Sequence, residues 1–452
     1  MRRAFTTALL ATSMFSLPGM AHAQAMSAEE AAALRAELAA LKAQVQTLEA
    51  RLDAATAEPA PAPLPVPTPP SVTAQPATEI SWKGAPELKT ADGWSFKPRG
   101  RMQFDVAGID APAGVLGPRG GLTSEIRRVF LGVDGKIPGG IAYRLEADFA
   151  GGSAELTDVY LTYSKGPWSV TMGHVRHFTS LEDVTSDLFT SFTERAAFVP
   201  AFGFERRVGL GAQYKGKQLL VQAGVFGDDA NSLLDDKNNS ISADGRVIWM
   251  PKFGKTQLHL GGSVHFRDFN DLSSTARYRA RPFVHTTDVR LLDTGNVSAK
   301  GENGYGLEGA VVSGPFHASG EAFWQTMKRP GLADPTFFGG YAEVGMLLTP
   351  GDSRSYKDGA FDRLKPSKPV TEGGIGAIEI NARYDYLDLN DRGIVGGRQR
   401  IALLGVMWAP IDYVRVIANY GRITIDDAAI ASATGDRDYS ADVFGLRTQL
   451  DF

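Results

Sequence analysis

The sequence predicts an all-β protein: a 16-stranded antiparallel transmembrane β-barrel preceded by a short N-terminal coiled coil and a proline-rich linker. Apolar and polar residues alternate with a period of two over stretches of roughly 9–13 residues, the length at which a tilted strand crosses a bilayer. The connections between these stretches alternate between short and long, as in barrels with tight turns at one end and large loops at the other. The chain also ends on an aromatic residue, Phe452, at the close of an alternating stretch.

Composition excludes several classes of protein. The 452 residues are 43% hydrophobic and 22% charged, with a formal net charge of −4. These values argue against a basic nucleic-acid-binding protein and against a disordered chain. Cysteine is absent, so disulfides, thiolate nucleophiles and cysteine-type zinc sites are excluded. The 50 glycines and the 10% aromatic content favour β-structure with many tight turns.

Residues 1–23 have the three parts of a secretory signal peptide. A positive region at Arg2-Arg3 is followed by an apolar core at 8–17 and by a small-residue cleavage site, Ala21-His22-Ala23. Because the apolar core is too short to span a membrane, we expect a cleaved signal rather than an anchor. The rest of the sequence has no run of 18 consecutive apolar residues, so we expect the exported chain to cross a membrane only as a barrel.

Residues 27–55 predict a coiled coil. Apolar residues recur here at spacings of 4, 3, 4, 3 and 4, at Leu34, Leu38, Leu41, Val45, Leu48 and Leu52. A lone amphipathic helix packed on a globular core is the alternative, but the narrow apolar stripe favours association between copies of the helix. The segment is too short to be stable alone, so we expect it to associate only when another part of the protein brings chains together.

Residues 56–78 are rich in proline and predict a polyproline-type linker. At about 3.1 Å per residue, the linker would reach roughly 60 Å. Such a rod separates the coiled coil from the barrel predicted over residues 80–452. The alternative is that this segment is a ligand for a proline-binding domain, but the export of the chain argues against it.

Sixteen alternating stretches follow the linker. They are 95–106, 122–136, 140–150, 154–164, 167–174, 204–215, 217–226, 242–250, 255–267, 304–313, 315–327, 337–349, 375–388, 398–409, 412–425 and 439–452. The number must be even if both barrel ends lie in the periplasm. Segment 277–290 therefore belongs to an external loop, 268–303, which we expect to fold into the lumen because of its length. Sixteen strands enclose an aqueous channel rather than a packed core.

Arginines characterise the predicted channel. Arg101 and Arg128 have lumen parity on the first two strands, whereas Arg127 would face lipid unless a bulge turns it. In the long loop, an arginine stands at every second position from 277 to 281, so an extended chain would point all three the same way. A guanidinium group stays charged and binds phosphate bidentately. Arginines therefore suit a channel that captures anions and passes them between sites of moderate affinity. A solvated loop whose arginines contact lipopolysaccharide phosphate is the alternative.

Several short stretches share their order and spacing with a known family. They are Phe96-Lys97 with Gly100-Arg101, Arg127-Arg128, Thr185-Ser186, Glu194-Arg195, Gly306 to Ala310, and Arg383-Tyr384-Asp385. On these stretches the chain resembles the phosphate-selective porins O and P. The resemblance implies a homotrimeric outer-membrane barrel of a Gram-negative bacterium, with a constriction formed by the inward third loop and an arginine ladder on the fifth. It also implies pore or anion-binding positions: Arg101, Arg127, Arg128, Ser186, Arg195, Arg277, Arg279 and Arg281.

The chain departs from this family at the constriction. Asp183, with Glu182 beside it, stands where the phosphate-selective members carry a lysine. A carboxylate at that position is expected to repel phosphate. Phe130 replaces a tyrosine of some members, which removes a hydroxyl donor. The resemblance therefore implies an anion-favouring channel rather than a strictly phosphate-specific one.

No catalytic constellation emerges from the sequence, so we expect neither an enzyme nor a cofactor. The carboxylates near the constriction are expected to oppose or pair with the arginines rather than form a hydrolytic acid pair. The sequence indicates no third metal ligand to accompany His174 and His177, which argues against a metal site.

Three functions stay open: passive diffusion of small anions, phosphate and diphosphate included; a general non-selective porin; and a structural tether. In the tether, the coiled coil reaches peptidoglycan from a periplasmic N-terminal extension. The expected partners are small anions, outer-membrane lipid and lipopolysaccharide, and two further copies of the chain, with no nucleic acid.

Overall fold

A computed structural model describes residues 28–56, 78–117, 121–232, 240–269 and 275–452. The chain divides into two compact units, 1–73 and 74–452. The predicted signal peptide and most of the predicted linker lie outside the described residues. Among the described helices, none combines the length and the apolarity needed to cross a membrane.

The N-terminal unit contains one helix, α1, Ala28–Thr56. The central leucines and valine of its predicted heptad stripe remain more than half exposed in the single chain: Leu38, Leu41, Val45 and Leu48. An apolar stripe of this kind can be buried only against another chain or another body. The helix agrees with the predicted segment, and its association into a coiled coil stays a prediction.

The second unit is a closed antiparallel barrel of 16 strands. The strands are β1 Ser95–Asp110, β2 Leu122–Ile137, β3 Ile141–Asp148, β4 Glu155–Lys165, β5 Trp168–Arg176, β6 Arg206–Lys215, β7 Leu219–Phe226, β8 Ile241–Trp249, β9 Thr256–Asp268, β10 Gly301–Ser313, β11 Phe316–Lys328, β12 Thr336–Leu347, β13 Ala377–Asp391, β14 Ile394–Ile411, β15 Val414–Asp426 and β16 Tyr439–Asp451. Each pairs with the next, and β16 pairs with β1 from Asp442↔Asp110 to Asp451↔Arg101. The predicted fold class and strand count are confirmed.

The two faces of the wall have opposite chemistry. Leu131, Met172 and Leu404 project outward and are each more than half exposed, as a lipid-facing surface requires. Glu146 and Arg447, which have the opposite parity, are 1% exposed inside the barrel. Alternation along one strand therefore separates lipid from lumen, which is why the sequence pattern located the strands.

The barrel closes around the last residue of the chain. Phe452 N donates to Gly100 O at 2.9 Å, and Gly100 N donates to Phe452 O at 3.1 Å. A Cβ atom on Gly100 would lie 2.4 Å from Phe452 Cζ, so the terminal ring covers a position that only glycine leaves open.

Gly100→Val should therefore force the Phe452 ring aside and destabilise the closed barrel by about 1–3 kcal/mol, the usual cost of overpacking. The temperature at which the folded barrel loses its compact electrophoretic mobility measures this effect. Gly108→Val is the matched control, because a Cβ on Gly108 of the same strand meets only Leu122 Cδ1 at 3.8 Å. Equal thermal shifts in both variants would contradict the role of the terminal ring.

Two connections differ from the predicted alternation. We call the end where β1 begins the turn end and the opposite end the loop end. Between the predicted stretches 375–388 and 398–409, the sequence pattern predicts a long loop at 389–397. The structure has a two-residue turn there, because Arg392 and Gly393 both have positive φ, 51° and 81°, and the ladder continues on either side of them. Conversely, the turn end carries a long segment, 348–376, which we call the turn insert. Alternation predicts strands but contains no signal for the path of the segment between them.

Other short elements accompany the barrel. A hairpin of Glu79–Trp82 and Pro86–Lys89 extends β1 at the turn end. The remaining short strands are Lys252–Phe253, Thr275–Ala276, Arg279–Ala280, Leu292–Asp293, Val297–Ser298, Ser355–Lys357 and Ala360–Asp362. The short helices are α2 Leu181–Val184 and α3 Phe198–Ala201, with 3-10 turns at Ala150–Gly152, Ala230–Ser232 and Val370–Glu372. As predicted, none of the described residues between β9 and β10, 269 and 275–300, belongs to a barrel strand.

The lumen is not entirely open. Residues 177–205, which we call the constriction loop, fold inward and pack against the described part of the fifth loop, residues 269 and 275–300, which we call the arginine loop. Their aromatic residues, among them Phe192 and Phe283, form one apolar cluster with Leu387, Ile401 and Ile423 from the inner faces of β13, β14 and β15. This side of the lumen is therefore filled rather than aqueous, because the loops bury their apolar residues there.

Candidate functional site

One half of the wall holds the backbone of the constriction loop. Glu321 on β11 accepts hydrogen bonds from Leu181 N at 3.0 Å and Glu182 N at 2.6 Å. Asp385 on β13 accepts from Ala197 N at 2.9 Å. Further contacts come from the arginine and amide groups of the last strands and the turn insert: Arg354 to Phe189 O, Arg415 to Thr190 O, Asn419 with Thr193 N, Arg447 to Thr193 O, and Gln449 to Leu188 O. The loop thus lies against β11 to β16.

The open part of the lumen lies on the opposite side, beside β1 to β6. It is a cavity of about 610 Å³. Among the described residues that line it, nine are basic and five are acidic. The basic residues are Lys97, Arg99, Arg101, Arg144, Arg176, Arg195, Arg206, Lys357 and Arg363; the acidic ones are Asp134, Asp158, Asp187, Asp362 and Asp451. The channel wall therefore has an excess of positive charge.

Arg101 and Arg128 lie on the lumen face, as their parity predicted. Arg101 contacts Asp187 of the constriction loop and Glu146 of β3, the latter at 3.4 Å, and stacks 4.4 Å from the Phe130 ring centroid. Arg128 Nε lies 2.9 Å from Asp187 Oδ2, and its Nη1 donates to Gln103 Oε1 at 2.7 Å. The two guanidinium groups therefore share one carboxylate.

Arg127 turns inward through a bulge. Gln103 pairs with Arg128 and Phe104 with Ile126, so Arg127 has no partner in the ladder. Its Nε lies 3.4 Å from Glu194 Oε1 on the constriction loop. The sequence predicted that Arg127 could face the lumen only through a bulge, and the structure contains that bulge.

Glu194 is held as a carboxylate by surrounding arginines. Burial opposes its ionisation, but Arg127, Arg447 and Arg128 outweigh burial and lower the pKa of Glu194 from 4.5 to about 2. Because the pKa is lower in the folded state than in the unfolded state, the ionised carboxylate stabilises the fold above pH 4.5. This stabilisation is lost as the pH falls through about 2. Glu194→Gln should therefore cost about 2–3 kcal/mol at pH 7 and almost nothing near pH 2.

Thermal unfolding in detergent between pH 7 and pH 2 checks this prediction. Glu155→Gln is the control, because Glu155 is exposed on β4. A stability difference between Glu194→Gln and the parent that stays constant over this pH range would refute it.

Arg195 and Ser186 also lie at the open cavity. Arg195 Nη1 contacts the carbonyl oxygens of Glu182 and Thr185, the latter at 2.9 Å. None of the described residues accepts a hydrogen bond from its Nη2. Ser186 Oγ accepts from Leu188 N at 3.3 Å and lies 3.4 Å from Asp187 Oδ1. Arg195 thus brings a full positive charge to the cavity while carbonyl groups hold it.

The expected carboxylate repulsion at the constriction needs correction. Asp183 is 0% exposed and is paired with Arg176. Glu182 is 5% exposed, with Oε1 2.9 Å from Arg383 Nη2 and accepting from Ala196 N at 3.2 Å. Neither carboxylate lines the cavity. Both fix the loop instead, because strong counter-charges lie within reach on the wall.

The arginine loop presents its three arginines on one face, since the residues that alternate with them, Ala276, Tyr278 and Ala280, are buried. Arg277 Nε is 2.8 Å from Asp293 Oδ1, and Arg281 Nη2 is 3.1 Å from Asp288 Oδ1. A pocket of about 280 Å³ is lined by Arg277 and Arg279, together with Arg267, Glu205 and other residues, but not by Arg281. The structure therefore places two of the three at a shared pocket.

Sequence reasoning missed several cationic residues. Arg144, Arg176 and Arg206 line the open cavity beside Asp134 and Asp158. Parity on β3 could have identified Arg144; the other two lie at strand ends, where parity is weak. In the arginine loop, burial and then Arg281 and Arg279 lower the pKa of Arg290 to about 10, so this arginine belongs to the same positive group.

The turn insert enters the lumen from the turn end. Tyr356 Oη lies 2.5 Å from His259 Nδ1, and Phe361 N donates to Thr185 Oγ1 of the constriction loop at 3.3 Å. Next to the insert is a cavity of about 370 Å³ whose described lining includes no carboxylate. Its basic residues are Lys252, Lys255, Arg354, Arg363 and Lys365. Arg363 lines both this cavity and the larger one, so the positive surface is continuous.

A histidine–carboxylate network fixes the start of the constriction loop. His177 Nδ1 and His265 Nδ1 lie 3.2 and 2.5 Å from the same oxygen, Asp244 Oδ1, and His265 Nε2 lies 3.4 Å from Glu302. In the described part of the chain, His177, Asp244 and His265 form a group whose ligand atoms lie within 4.8 Å of one another. The network joins the loop to β8, β9 and β10. His174 lies apart from this group and 3.5 Å from Asp229.

Comparison with known proteins decides the family. The model of the family "Phosphate-selective porin O and P" matches residues 96–452. The chain belongs to this family. This porin is 28% identical over 422 residues to Porin O of Pseudomonas aeruginosa, with 82% of the chain and 92% of Porin O covered. It is 44% identical over 472 residues to an uncharacterized protein of Caulobacter vibrioides, covering 98% of the chain and 95% of that protein.

Solved structures agree with the fold. The porin resembles OmpT of Vibrio cholerae with a TM-score of 0.52 at 13% identity, covering 83% of this chain and 100% of OmpT. It resembles an anion-selective porin from Comamonas acidovorans with a TM-score of 0.50 at 12% identity, covering 79% and 100%. Because the chain belongs to this porin family, the protein is an outer-membrane β-barrel that forms a channel.

Proposed function

We propose that this porin conducts small anions by passive diffusion, with phosphate and diphosphate among them. The excess of basic side chains along the open cavity carries the proposal. A solute that enters from the loop end would meet the arginine loop, then Arg195 beside the wall of β1 to β6, then the basic cavity at the turn insert. Several anion-binding sites of moderate affinity in series favour conduction, whereas a single site of high affinity would retain its ion.

The identity of the solute is proposed from charge and relatives together. Guanidinium groups bind tetrahedral oxyanions through paired N–H donors, and the matching family is described as phosphate-selective. Carboxylates inside the cavity, Asp134 and Asp158 among them, offset part of the positive charge. We therefore infer an anion-favouring channel in which phosphate is one of several permeant ions.

Reversal potential in a planar bilayer under a potassium chloride gradient tests this function. The purified porin should show a reversal potential of the sign that chloride selectivity demands, and millimolar inorganic phosphate should reduce the chloride current. A reversal potential near zero, with no effect of phosphate, would instead identify a general porin in which the arginines only shape the field.

A second function is proposed for the N-terminal unit. The exposed apolar stripe of α1 suits a trimeric coiled coil, and a proline-rich segment follows it in the sequence. We infer that this extension lies in the periplasm and tethers the outer membrane to peptidoglycan. Deleting residues 26–78 should leave conductance unchanged, weaken envelope integrity, and abolish co-sedimentation with purified peptidoglycan; unchanged sedimentation would exclude the tether.

A further inference from the structure

One carboxylate of the constriction loop lies between two guanidinium groups of the barrel wall. Asp187 lines the open cavity, and its side chain is 11% exposed. Its Oδ1 contacts Arg101 Nη1, and its Oδ2 lies 2.9 Å from Arg128 Nε. Each oxygen thus meets a different guanidinium group, which is how a phosphate or sulfate bridges two arginines.

Within the described parts of the chain, the two arginines have few other partners near the cavity. Apart from Asp187, Arg101 meets Glu146 at 3.4 Å, while Glu146 lies closer to Arg99, at 2.9 Å. Arg128 otherwise donates to the neutral amide oxygen of Gln103. Without the Asp187 carboxylate, the pair would therefore direct unbalanced positive charge toward the solutes of the cavity.

The arginines around Asp187 favour the charged form of its carboxylate. Burial disfavours its ionised form, but Arg101, Arg128, Arg195 and Arg176 overcome burial and hold the pKa of Asp187 well below its ordinary value. Protonation therefore does not empty the position in the physiological pH range.

We propose that Asp187 is a resident counter-ion that fills the oxyanion position between Arg101 and Arg128 and thereby keeps the affinity of the constriction for tetrahedral oxyanions low. This inference rests on the proposed anion channel and names the residue that sets its affinity. With Asp187 in place, a permeating phosphate meets arginines that are already paired, binds weakly and leaves quickly. The covalently attached carboxylate competes at a fixed and very high local concentration, as any tethered ligand does.

The test removes the charge and keeps the shape. In planar bilayers, full-length Asp187→Asn porin should show chloride current that inorganic phosphate blocks at a concentration at least tenfold lower than in the parent. Sulfate should show a similar shift, because the emptied site recognises oxyanion geometry rather than phosphorus. Asp187→Ser, which removes the side chain that bridges the arginines, should behave in the same way and serves if the asparagine variant assembles poorly.

Asp134→Asn is the matched control, because it removes the same charge from the same cavity but beside Arg99 and Arg144. It should raise anion selectivity modestly without a tenfold shift in block. Adding Arg101→Ala to Asp187→Asn should abolish the high-affinity block. Equal block in Asp187→Asn and Asp134→Asn would overturn the inference while leaving the anion channel intact, whereas a parent porin without anion selectivity would refute the proposed function itself.

Discussion

Replacing Arg195 with alanine is expected to lower the anion-to-cation permeability ratio of the channel roughly 5- to 30-fold, the equivalent of about 1–2 kcal/mol for one unit charge a few ångströms from a permeating ion. Arg195 lines the open cavity, and its contacts are carbonyl oxygens rather than carboxylates. Among the described residues, its guanidinium group forms no salt bridge with a carboxylate, whereas that of Arg176 pairs with Asp183. Reversal potentials under a salt gradient measure the change.

Two further variants separate charge from loop structure. Arg195→Lys keeps the charge and loses the guanidinium geometry, so it should retain most of the selectivity. Arg422→Ala removes an arginine that is half-exposed and paired with Asp442, away from the channel lining, and should leave selectivity unchanged. If the lysine variant lost as much selectivity as the alanine variant, the arginine would act through the position of the loop and not through its charge.

Replacing Arg383 with alanine is expected to release the constriction loop and destabilise the barrel by about 3–5 kcal/mol, the usual cost of breaking a buried ion pair. Arg383 Nη2 lies 2.9 Å from Glu182 of the loop and 2.5 Å from Glu343 of the wall. Its guanidinium also lies over the rings of Phe192 and Tyr341, at 4.9 and 4.6 Å from their centroids. One side chain thus joins the loop to β12 and β13.

Release of the loop should be seen in two ways. Single-channel conductance should rise and become noisy, and a protease should cut the constriction loop in the folded porin. Arg383→Lys preserves the charge and should show a smaller effect on both. A quiet, protease-resistant channel of parental conductance in Arg383→Ala would show that backbone anchors such as Glu321 hold the loop without the ion pair.

Alternation along the sequence predicted the wall because each strand separates two solvents. Lipid requires Leu404 on one face, while the lumen accepts Arg447 on the other, and this requirement acts on every second residue. The bulge at Arg127 was foreseeable for the same reason, since a charge of lipid parity needs one extra residue to turn it inward. The family resemblance covered nearly the whole barrel, and the family match confirmed it.

The candidate site was only partly foreseeable. The sequence indicated Arg101 and Arg128 from their parity, and the structure shows them meeting at Asp187. It placed Asp183 at the constriction as a repelling carboxylate, but Arg176 neutralises that group. Which carboxylate meets which arginine depends on contacts between distant parts of the chain, and no local pattern reports them.

By itself the sequence determined the closed wall: the number of strands, which side chains face lipid, and the positive character of the lumen. Only the tertiary structure decided how the interior is filled. The constriction loop lies against β11 to β16, and the turn insert reaches it through Arg354, whose guanidinium contacts Phe189 O 165 positions away along the chain. The physical reason is that strand alternation is imposed residue by residue by the two solvents, whereas the lumen is organised by buried charges that must each find a partner across the barrel.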